Sequence, residues 1–137
     1  TFRPVIDDPM IEDRSQVTRV VLTSGKVYYD MRTALEKNPD PRVALVRVEQ
    51  FYPIPGIELG RILAQYSGAE LVWVQDEPEN QGAWPFISLE LSKQLANDRI
   101  RVVSRAASAA PSTGSAKVHA VEQEALVAAA LRFENEA

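Results

Sequence analysis

The sequence predicts an α/β fold: one three-layer domain, with a mainly parallel sheet and helices on both faces. Three observations predict it. Short β-branched apolar runs recur along the chain, with a spacing of about 27–30 residues that marks βα units rather than a solenoid. Each run is followed by a stretch whose apolar residues fall at helical spacing. The runs are almost continuously apolar, as strands are when both faces of the sheet are covered.

Residues 1–16 carry two prolines and no period, and read as a lead-in arm or interdomain linker. The α/β domain is expected over 17–137. The stretch 17–24 is β-branched and ends in turn residues, so it predicts a strand. Residues 25–37 place Val27, Tyr28, Met31, Ala34 and Leu35 on one helical face, with Ser24 as the expected N-cap. Asn38–Pro41 breaks that helix. A second strand follows over 42–50. A second helix over 53–67 presents Leu59, Ile62, Leu63 and Tyr66. Residues 69–77 read as a third strand. Residues 80–96 read as a helix with Trp84, Ile87, Leu91 and Leu95 along one stripe, which puts Pro85 in its first turn. A fourth strand over 99–105, a small-residue loop over 106–115 and a closing helix over 116–133, capped by Ser115, complete the order.

Composition excludes several chemistries. The 137 residues contain no cysteine, which removes disulfides, thiol nucleophiles and thiolate metal sites. One histidine cannot build an ordinary zinc site. Fifteen basic against nineteen acidic residues gives a net charge of −4, a poor match to a phosphate backbone, so nucleic acid is not an expected partner. No apolar run approaches the roughly 20 residues of a membrane span.

Ligands of open α/β sheets sit beyond the carboxyl ends of the parallel strands. Four such ends are expected here. The first, Ser24-Gly25-Lys26, joins a flexible backbone and an ammonium to a helix start, which suits a phosphate or carboxylate. An ordinary strand-to-helix turn with a solvated lysine is the plainer reading. The second holds Arg47 in an otherwise apolar strand; it needs either a ligand or an internal acid such as Glu49. The third gathers Asp76, Glu77 and Glu79 before Trp84. Those carboxylates suit acid–base work, a hard cation or a partner surface, and with no nucleophile nearby the partner reading is favoured. The fourth is the small-residue loop that leads to Lys117 and His119. No nucleophile–base–orienter set can be assembled, so no catalytic residue and no metal ligand is assigned.

The four strand ends together carry a resemblance. The stretches SGKVYYD (24–30), VRVEQFYPIP (46–55), WVQDEPENQGAWPF (73–86) and SRAASAAPSTGSAKVHAVEQ (104–123) are similar to the C-terminal domain of the decarboxylating component of the oxoglutarate dehydrogenase complex, in its bacterial type. The resemblance covers about residues 17–133. It implies a fold like the transketolase C-terminal domain. It implies a cytoplasmic parent enzyme of the tricarboxylic acid cycle, a homodimer dependent on thiamine diphosphate and magnesium, which passes succinyl groups to the lipoyl succinyltransferase. The cofactor is then held by preceding domains, none of it here, and Thr1 is not the natural start. This domain is expected to be inactive alone and to support dimer assembly. The actinobacterial relatives imply an acetyl-CoA site whose phosphate contacts fall at Ser24, Gly25, Lys26 and Arg47. A free-standing anion-binding or protein-interaction module is the alternative.

Overall fold

The structure, a computed structural model, describes residues 4–49, 56–66, 68–78, 81–85, 87–89, 100–105 and 116–131. Among them, one sheet holds β1 (Val5–Ile6), β2 (Arg19–Thr23), β3 (Val43–Val48), β4 (Glu70–Pro78) and β5 (Ile100–Arg105). Their spatial order is β1-β3-β2-β4-β5. The four longer strands are parallel neighbours, and β1 runs antiparallel to β3. The expected α/β architecture with a mainly parallel sheet is therefore present. The helices are α1 (Lys26–Lys37), α2 (Gly56–Leu63) and α3 (Ala116–Leu131). Positions 84–85 and 87–89 are also helical, so Pro85 stands in a first turn.

Alternation along the strands splits the apolar core into two layers. Val20, Leu22, Ala44, Val46, Leu71 and Trp73 face α2 and Ile87. Val21, Leu45, Val72 and Val74 face α1 and α3 through Val27, Met31, Leu126 and Ala130. The chain adds β3 on one side of β2 and then crosses back to add β4 on the other. That reversal makes the carboxyl ends of β2 and β4 the switch point of the sheet.

The acidic opening arm lies on the domain. Val5 and Ile6 pair with Val48 and Arg47. Where β1 stops, the buried Asp8 side chain continues the pairing, taking the Leu45 N–H at 2.8 Å and the Met10 N–H at 2.9 Å. It also takes Arg32 Nη2 at 2.8 Å. Asp7 accepts the Tyr66 hydroxyl and binds Arg14. These anchors are polar and aperiodic, so the sequence pattern shows no element here.

Two helix starts and ends differ from expectation. The N-cap of α1 is Gly25 rather than Ser24, and no side chain caps it. Gly25 has φ 73° and ψ −151°, a backbone region open to glycine alone, and that turn swings the chain sharply from β2 into α1. The second helix ends at Leu63 and tightens into a 3-10 turn over Ala64–Tyr66. Residues 50–55, the expected positions Leu91 and Leu95, the 106–115 loop and its Ser115 cap lie outside the described residues.

Candidate functional site

The register of β2 against β3 decides what meets at the carboxyl edge. Thr23 is level with Arg47, so the turn Ser24-Gly25-Lys26 and Arg47 stand on one side of that edge. Thr23 is also level with Val74, and its hydroxyl donates to the Val74 carbonyl at 2.9 Å. That bond ties the switch point shut just below the edge.

Arg47 does not stand free. Its Nη2 lies 2.6 Å from Glu49 Oε1, and Nη1 reaches the Tyr29 hydroxyl at 3.5 Å. The guanidinium carbon sits 4.7 Å from the Tyr28 ring centre and 5.7 Å from that of Tyr29. Both distances suit a cation–π contact. Partial burial opposes its charge, but the Glu49 carboxylate and the two phenols outweigh that and hold its pKa above the ordinary arginine value. Arg32 also approaches the Tyr28 ring, 5.5 Å from its centre, and is bonded to Asp8. A chain of contacts therefore runs from Glu49 through Arg47, Tyr28 and Arg32 to Asp8. Lys26 is exposed at the first turn of α1. The geometry brings Ser24, Gly25, Lys26 and Arg47 to one edge, with the Arg47 fork already held by Glu49 and Tyr29.

The β4 end is built differently. Gln75 is buried and uses its whole amide. Its Oε1 accepts from Trp73 Nε1 at 2.8 Å and from the Trp84 N–H at 2.9 Å. Its Nε2 donates to the carbonyls of Gln81 at 2.8 Å and Glu77 at 3.1 Å. One side chain thus fixes both ends of the turn that follows β4. Gly82, at φ 65°, closes the turn, and a Cβ there would stand 2.8 Å from Glu77 Oε1. Asp76 is half-buried, Glu77 is exposed, and Trp84 is half-buried against the core layer beside α2. Glu79 lies outside the described residues. Sequence reasoning missed Gln75 as the organiser, along with Asp8, Tyr28, Tyr29 and Arg32. The signal for Gln75 was a long amide beside the buried Trp73 in a strand otherwise apolar on that face.

Charges of both signs line the edge, and Arg47 is paired with Glu49. Lys26 and Arg47 lie on the β2–β3 side, and Asp76 and Glu77 on the β4 side. Nothing in this set forms a nucleophile beside a base.

Comparison with known proteins covers the same ground. A family described as "2-oxoglutarate dehydrogenase C-terminal" matches residues 1–131. A "Multifunctional 2-oxoglutarate metabolism enzyme" of Mycobacterium sp. (strain JLS) is 44% identical over 92% of this chain and 10% of its own length. The protein of the same description from Mycolicibacterium vanbaalenii is 44% identical over 92% of this chain and 11% of its own. The chain thus spans about a tenth of the length of these curated relatives. The match includes the arm that the structure lays against β3, and runs through every strand of the sheet to the end of α3. From β1 to α3, the chain belongs to the 2-oxoglutarate dehydrogenase C-terminal family.

Proposed function

We propose that the chain serves as the non-catalytic C-terminal domain of a larger enzyme that decarboxylates 2-oxoglutarate in the tricarboxylic acid cycle of a bacterial cytoplasm. The observation that carries this reading is the family match over residues 1–131, joined to relatives about ten times longer. In this reading the parent is a homodimer that uses thiamine diphosphate and magnesium and delivers succinyl groups to a lipoyl succinyltransferase. The described residues show no carboxylate or imidazole cluster that would hold its magnesium. No three His, Asp or Glu side chains among them stand together as a metal site would need. In this reading the cofactor is held by parts of the parent outside this chain. No helix among the described residues is long and apolar enough to cross a membrane.

The domain's share of the work is assembly and regulation. The turn from β4, held by Gln75 and carrying Asp76, Glu77 and Trp84, faces another domain or the second subunit. The β2–β3 side, with Ser24, Gly25, Lys26 and Arg47, takes a phosphate of acetyl-CoA. Two features support that second role. The α1 N-terminus has no side-chain cap competing for its N–H groups, and the Thr23–Arg47 register sets a guanidinium beside it. Each charge-assisted contact contributes about 1.5–3 kcal/mol. Glu49 must release Arg47 or share it, so the phosphate binds usefully only when the assembled parent supplies further contacts.

The test is an acetyl-CoA titration of the parent enzyme. Lys26→Ala and Arg47→Ala weaken the response several-fold and leave unstimulated turnover near wild type. A flat titration of the wild type removes the regulatory role. A normal response in both variants moves the phosphate elsewhere.

A further inference from the structure

We draw no further inference here: the strongest candidate, the groove between α1 and α3 with the apolar residues Ala34, Leu35, Val127, Ala128 and Leu131 in its lining, carries nothing, because nothing in the structure shows what covers it.

Discussion

Gly25 shows how much one residue can decide. Its φ of 73° with ψ −151° turns the end of β2 into the start of α1, and this turn places Lys26 at the carboxyl edge. No atom stands within 4 Å of where a Cβ would be, so the cost of Gly25→Ala is backbone strain alone. We expect a loss of about 1–3 kcal/mol in chemical denaturation, together with a weaker acetyl-CoA response in the parent. Tyr66 is a second case. Burial first, and then its hydrogen bond to Asp7, raise the phenol above its ordinary pKa of 10.0. A folded-state value above the unfolded one gives stability that is full below pH 10 and lost as pH rises past it. Tyr66→Phe is expected to cost about 1 kcal/mol at neutral pH, the net value of one hydrogen bond. It should also flatten the fall in unfolding midpoint above pH 10. An unchanged alkaline slope would show that Tyr66 does not govern it.

At the scale of elements, α3 is tied to the opposite edge of the sheet by one side chain. Arg19 is buried at the start of β2, bound to Glu70. Its Nη1 donates to the carbonyls of Ala130 at 2.9 Å and Ala129 at 3.3 Å. It satisfies helix-end carbonyls that have no intrahelical donor. Arg19→Met is expected to lower stability by about 2–3 kcal/mol, since it strips the donor from the buried Ala130 carbonyl and from Glu70. Hydrogen exchange should quicken in α3 more than in β3. The strands were legible because Val, Ile and Leu runs buried on both faces leave a period that needs no partner to be read. The faces of α1 and α2 were legible for the same reason, through Val27, Met31, Leu59 and Leu63. The two-residue β1 was not, because Asp7 and Asp8 anchor the arm through contacts to Tyr66, Arg32 and Leu45, all distant in sequence.

The whole molecule adds what no local pattern contains. Strand order arises from long-range pairing, and only that order sets Thr23 between Arg47 and Val74. The strand ends that carry Lys26, Arg47, Asp76 and Glu77 were readable singly. Their meeting along one edge was not, nor was the engagement of Arg47 by Glu49, Tyr28 and Tyr29. Among the described residues of that edge no nucleophile stands beside a base, and the proposed role of the domain is to act through the enzyme that carries it. The most direct test measures release of carbon dioxide from 2-oxoglutarate, with thiamine diphosphate and magnesium supplied, by the 137-residue chain and by its parent side by side. The expected result is turnover by the parent and none above background by the chain alone. Turnover by the pure chain, or a parent inert toward 2-oxoglutarate, would contradict it.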